Sequence, residues 1–206
     1  LKAGGAKTVA FDMLFTNPSP TGAAEDQTFG AALKAFGPVV MAMETGSEEH
    51  ARRASPPPAR FAVKAASAAT RKSVRLPVPE ILAGSRWLGD TTADPDFDGV
   101  FRRVPLAVEM GGAQFPTLPS AAAMAATGKT LDELNPRLTG DRMLVRFHGK
   151  SRTDDKNKKT YDQYPIGDLL LSWQAIEDKR TPKFPPSLFK DKIVLVGMNA
   201  AGLLDN

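Results

Sequence analysis

The stretch DPDFDG sets Asp94, Asp96, Asp98 and Gly99 in the D-x-D-x-D-G order that opens a calcium loop. Such a loop needs a bidentate Glu at its twelfth position, which here is Pro105, with Glu109 too far along. Helices should flank the loop, yet an alternating, strand-like run follows it. The residues therefore read as an Asx-type turn built on Asp96, Asp98 and Gly99, with glycine supplying a positive φ. No metal site is expected there.

Past the turn, Val100, Val104, Leu106, Val108 and Met110 alternate with Phe101, Arg103, Pro105, Ala107 and Glu109, as in a strand with one face inward. Pro105 has no amide donor and marks an edge or a bulge. On this register Arg102 falls on the apolar face, where an unpaired guanidinium is costly. Asp12 and Asp98 are the candidate counter-charges. Two readings stay open for Arg102: a structural ion pair or local slip of the strand, and a base that anchors a ligand.

Other chemistry is poorly supported. The chain has no cysteine, which excludes disulfides, thiol catalysis and thiolate metal sites. His50 and His148 are the two histidines, too few for a His-based metal centre or a triad. G-x-S-x-G is missing, and AGGAK and ATGKT lack the spacing of a phosphate loop. VGMNAAG follows a strand but spaces its glycines wrongly for a dinucleotide. No enzyme and no cofactor are expected.

Apolar residues at 42% and charged residues at 24% describe an ordinary globular chain of 206 residues, enough for one good core. The net charge of +4 is modest, and its local peak, GKSRTDDKNKKTYDQ, is interrupted by acids. Without aromatic interleaving or a recognition helix, that run is a solvated loop and nucleic acid is not a partner. No run of about 18 apolar residues occurs. The chain opens at LKAGG without an initiator Met and stops after a strand-like run, so a piece of a longer protein is expected.

The element pattern begins with KTVAFDMLF as a strand. EDQTFGAALKAFGP is a helix with Phe29, Leu33 and Phe36 on one face, and PVVMAMET is a second strand. Together they form a parallel βαβ unit. Residues 44–78, with three consecutive prolines, are expected to form a surface insert. VPEILAGSRWLG predicts a short helix burying Ile81, Leu82 and Leu88, and FPTLPSAAAMAATG a helix stopped by Gly128. DRMLVRFHG predicts a strand. YPIGDLLLSWQAIEDK predicts an amphipathic helix carrying Ile166, Leu169, Leu170 and Trp173. Ile193–Val196 is a continuous apolar strand of the kind found at a sheet centre. The fold expected is α/β: a single domain over residues 1–206, its central sheet mixed and mostly parallel, with flanking helices and a long Pro-rich excursion.

The ordered set VAFDMLF, EDQTFGAAL, LPVPEIL…WLG, DFDGVFRRVPL, FPTLPSAAA, LVRFHG…YDQYPIGDLL and FKDKIVLVGMNAAGLLDN resembles the type-two CHASE domain. That family is the extracytoplasmic sensory module of bacterial cyclases, histidine kinases and serine/threonine kinases. The resemblance spans the chain, except that residues 44–75 match nothing typical. It implies a periplasmic or extracellular domain tethered by flanking transmembrane helices, which senses a small molecule or environmental signal. It also implies a cytoplasmic adenylate or guanylate cyclase or kinase downstream, and a homodimer. The alternative is a soluble α/β small-molecule-binding protein or a hydrolase with an unrecognised site. Ligands of α/β sheets sit beyond the carboxyl ends of the strands. Asp12 and Asn199 both follow buried strands there, with Arg102 or Arg103 nearby, so these four are the candidate ligand-binding residues.

Saturating calcium should leave the melting temperature unchanged. A rise that Asp96→Ala abolishes would restore the calcium reading of the turn.

Overall fold

The computed structural model describes residues 1–47, 55–134, 136–149 and 161–198. β-branched and aromatic residues gather in TVAFD and VVMAMETG, which form β1 (Thr8–Asp12) and β2 (Val39–Gly46). Between them α1 (Ala23–Phe36) buries Leu33, and Phe29 and Phe36 pack against the same core. Gly37 ends α1, its amide donating to the Leu33 carbonyl at 3.0 Å. The two strands pair in parallel, Val9 with Val39 and Phe11 with Met41, which makes the expected βαβ unit.

The chain then adds β3 (Ala68–Thr70), β4 (Ser73–Arg75), α2 (Pro79–Gly84) and β5 (Trp87–Asp90). β5 pairs in parallel with β2 from Val40↔Trp87 to Met43↔Asp90, while β4 runs antiparallel along the end of β2. Next come β6 (Arg103–Val104), β7 (Ala107–Met110), β8 (Ala113–Pro116), α3 (Leu118–Thr127) and α4 (Leu131–Leu134). β9 (Leu138–Thr139), β10 (Arg142–Leu144), α5 (Ile166–Glu177) and β11 (Ile193–Gly197) follow. The main sheet has the order β11-β1-β2-β5, with β4 at the end of β2; β3-β7-β8 and β6-β10-β9 form two smaller sheets. The architecture is the expected mixed α/β domain with a mostly parallel central sheet.

Several local expectations change. The strand foreseen over 100–110 divides at Pro105: β6 joins β10 in one sheet, and β7 joins β3 and β8 in another. A residue without an amide donor cannot continue the ladder. The alternation therefore holds for Leu106, Val108 and Met110, all buried, but not for Val100 and Arg102 before the break. The expected insert at 44–78 is partly internal: Phe61, Val74 and Val78 enter the core, and β3 and β4 join sheets. Its short apolar stretches are strands too brief to show a period.

The continuously apolar centre is β2, whose Val39, Val40, Met41, Ala42 and Met43 are buried. β11 instead lies at the edge of the described sheet, leaving Ile193 48% and Leu195 70% exposed. α5 turns its small residues inward, burying Ser172 and Ala175, while Ile166, Leu170 and Trp173 stay exposed. The Ser172 hydroxyl donates to the Asp168 carbonyl (2.7 Å) and accepts the Phe184 amide (3.1 Å), which holds that side against residues 184–189. The strand at 141–149 shortens to β10, with Phe147 and His148 exposed. Among the described residues no helix is long and apolar enough to cross a membrane.

α1 and α2 cross at glycines. A Cβ on Gly84 would collide with the Gly30 backbone carbonyl, and one on Gly30 with that of Glu80. Gly84→Ala should therefore destabilise by about 1–3 kcal/mol through overpacking, despite alanine's better helix propensity. Urea denaturation measures this, and a stabilised variant would mean that the crossing is looser than described.

Candidate functional site

β1 and β5 both end on an acid, Asp12 in VAFD and Asp90 in WLGD, at the carboxyl edge of the parallel strands. β2 lies between them and the register differs by one residue, so the two strand ends stand about 10 Å apart, two strand spacings. A crevice of about 150 Å³ opens there, lined by Asp12, Asp90, Thr91, Thr92, Ala93, Val104, Thr117, Leu118 and Pro119.

Close backbone approach builds its wall. A Cβ on Gly89 would stand 2.5 Å from Leu118 Cα, so glycine is what lets the start of α3 lie on β5. Thr117, just before α3, bridges to Asp90 through the backbone. Its hydroxyl proton is shared among the carbonyls of Pro105 and Leu106, each at 3.3 Å, and Ser120 Oγ at 3.0 Å. The Thr91 amide donates to the Met43 carbonyl at 2.9 Å, and Thr92 Oγ1 accepts the Thr45 amide at 2.9 Å. The stretch after β5 is thereby stitched to β2.

Asp90 is 1% exposed. Strand alternation puts its carboxyl on the face of Leu88 and Met43, the side of the larger core cluster, while Asp12 is exposed at the rim. Asp90 Oδ1 accepts from the Thr92 hydroxyl at 3.0 Å, and Oδ2 accepts no hydrogen bond. Burial pushes its carboxyl pKa upward, against the opposing pulls of the Thr92 hydrogen bond and the charge of Arg71.

The acidic turn itself is a pairing device. Asp94 takes Arg71 at 2.7 Å and Arg142 at 3.7 Å, and Asp96 takes Arg103 at 3.4 Å and Arg102 at 3.6 Å. Both Asp98 oxygens lie 2.8 Å from Arg102 Nη1, which holds the Asp98 carboxyl below its ordinary pKa. The Val100 amide donates to Asp98 Oδ1 at 3.2 Å, and Gly99 has φ +79°. Among the described residues no group of three or more His, Asp or Glu side chains is placed to hold a metal ion. Four arginines meet the three acids instead.

The structure thus brings Asp12 to the crevice. It holds Arg102 and Arg103 on Asp96 and Asp98, with Arg102 43% exposed rather than facing the core. Asn199 lies outside the described residues, as does His50. Asp90, Thr92, Thr117 and Arg71 were not singled out from the sequence. The signal for Asp90 was a second short apolar run ending on Asp, obscured by the glycine before it.

Asp90 and Asp98 respond oppositely to pH. Asp90's folded pKa is raised, so its contribution to stability is present below about 3.8 and lost as pH rises through the folded value. Asp98's is lowered, so its contribution is present above that range and lost as pH falls. Relative to the wild type, Asp90→Asn should thus gain melting temperature between pH 4 and pH 7; a gap constant with pH would contradict burial of the charge.

In comparison with known families, a family model described as the CHASE2 domain matches residues 1–206. No curated protein and no solved structure matches the chain. The chain belongs to the CHASE2 family, whose members are extracellular sensory domains rather than catalytic ones.

Proposed function

From this sensing role, we propose that the chain is the extracytoplasmic ligand-sensing domain of a bacterial transmembrane receptor. Its output is a cytoplasmic adenylate or guanylate cyclase or a protein kinase, reached through flanking membrane helices and working as a pair of receptor chains. The observation that carries the ligand-sensing part is the crevice at the carboxyl edge of the parallel strands, the place where α/β sheets take their ligands.

Asp12 stands at its rim and Thr91 and Thr92 form one side. Arg102 and Arg103 act on the site through Asp96 and Asp98, holding the turn that continues from that side. Asn199 belongs to the same proposal, since it follows β11, the neighbour of β1. A bound signal changes output only to the extent that its affinity differs between two arrangements of the domain. The crevice is suited to such a difference, since its walls come from two separate elements, the stretch Thr91–Ala93 after β5 and the start of α3 at Leu118, whose relative position a ligand between them can bias.

The test uses the full-length receptor in membranes, with cyclase or kinase output measured against the stimulus. Asp12→Ala should weaken the response at least about tenfold in stimulus concentration, the equivalent of about 1.4 kcal/mol of lost ligand binding. An unchanged dose–response curve in a normally folded variant would remove the crevice from the sensing path. A parent gene without flanking apolar segments and an output domain would sink the receptor reading itself.

A further inference from the structure

We propose that Asp90, Arg71 and Asp94 form a proton-operated switch that decides how the turn after β5 is held. One buried guanidinium pairs with one acid here, and a second, buried acid is tied to the same end of β2. The Arg71 side chain is 4% exposed and pairs with Asp94, whose side chain is 34% exposed. Among the described residues, by contrast, Arg71 Nε has no acceptor and Asp90 Oδ2 no donor. Thr92 joins the Asp90 carboxyl to Thr45 of β2, and the next residue of that strand, Gly46, accepts the Lys72 amide, so Asp90 and Arg71 stand beside the same strand end.

The arrangement described fits a neutral Asp90. A carboxylate oxygen shut away from water and without a donor is strongly disfavoured, whereas the protonated acid carries no charge to satisfy. With Asp90 neutral, Arg71 is left to Asp94. Ionisation creates a charge that nearby Arg71 can compensate, through the Nε–H that has no acceptor. Turning toward Asp90 loosens Arg71's hold on Asp94. Asp94 also carries Arg142 of β10, and its main-chain carbonyl accepts from Arg142 Nη1 at 3.4 Å, so the anchoring of the β6-β10-β9 sheet moves with it. Thr91, Thr92 and Ala93, between Asp90 and Asp94, line the crevice, so its wall shifts too.

The other charged groups on the surrounding elements have their own places. Glu44 of β2 pairs with Arg75 of β4, and Asp96 pairs with Arg102 and Arg103. Glu109 of β7 accepts the Gly112 amide at 3.0 Å, and Asp12 of β1 is at the exposed rim. Burial of Asp90 raises its titration above the ordinary 3.8. The switch requires nothing of the receptor reading beyond this chain, and it can fail while that reading stands.

The test is an NMR titration of the isotope-labelled 206-residue chain from about pH 3 to about pH 8, following carboxyl carbons and arginine Nε–H signals. Asp90 should titrate above 3.8, and the Arg71 Nε, Asp94 carboxyl and Arg142 signals should move with its midpoint. In Asp90→Asn that midpoint should vanish from Arg71, while Asp98, tied to Arg102, titrates as before and reports an intact turn. The proposal is overturned if Asp90 titrates at or below 3.8, if Arg71 Nε does not move with Asp90 in the wild type, or if the midpoint survives in Asp90→Asn. Should the variant fail to fold, the wild-type titration alone decides.

Discussion

Three sheets are tied together at Asp94. The residue leaves the main sheet just after β5, takes Arg71 from the junction of β3 and β4, and takes Arg142 from β10. The β3–β4 junction is itself attached on both sides: the Arg71 amide donates to Glu109 of β7 and the Lys72 amide to Gly46 of β2. Arg71 is almost fully buried, so an acid must stand there to keep its charge. This requirement explains the DPDFDG stretch. Asp94 meets Arg71 and Arg142 from distant parts of the chain, whereas Asp96 and Asp98 share the nearby Arg102 and Asp96 also meets Arg103, and the turn between them is closed by the Asp96 carbonyl accepting the Gly99 amide at 2.8 Å.

The crevice depends on that tie. Its side formed by Thr91, Thr92 and Ala93 is held at one end by hydrogen bonds to β2 and at the other by the arginine pairs of Asp94. Its opposite wall, the start of α3, is set by the absence of a side chain at Gly89. A sensory domain needs an element with two arrangements of comparable free energy. A short loop held by ion pairs meets that need better than the β2 core, where Val40, Met41 and Met43 are fully buried and close packing resists gradual deformation.

How far the fold was legible depended on period and length. β1, α1, β2 and α3 carry strong local signals, and the structure follows them, down to Gly37 and Gly128 as helix stops. β5 was hidden because Gly89 and Asp90 interrupt an apolar run of two residues. Pro105 was legible as a defect, but only the tertiary structure says that the strand changes sheets there. For β11 and α5 the apolar pattern was read correctly and its destination was not: apolar periodicity identifies a face, while the neighbouring element decides whether that face is inside. Asp12 was legible as an acid ending a buried strand. Arg71 was not, since it sits between strands of three residues and its partner lies 23 residues further along the chain.

The ion pair of Arg71 and Asp94 couples the sheets and holds them together. A double-mutant cycle with Arg71→Met and Asp94→Asn, made in the Asp90→Asn background so that Arg71 stays on Asp94, and read by urea denaturation at neutral pH, measures the coupling. A favourable coupling of about 1–2 kcal/mol is expected for a pair with one buried partner. Additivity to within about 0.3 kcal/mol would contradict it.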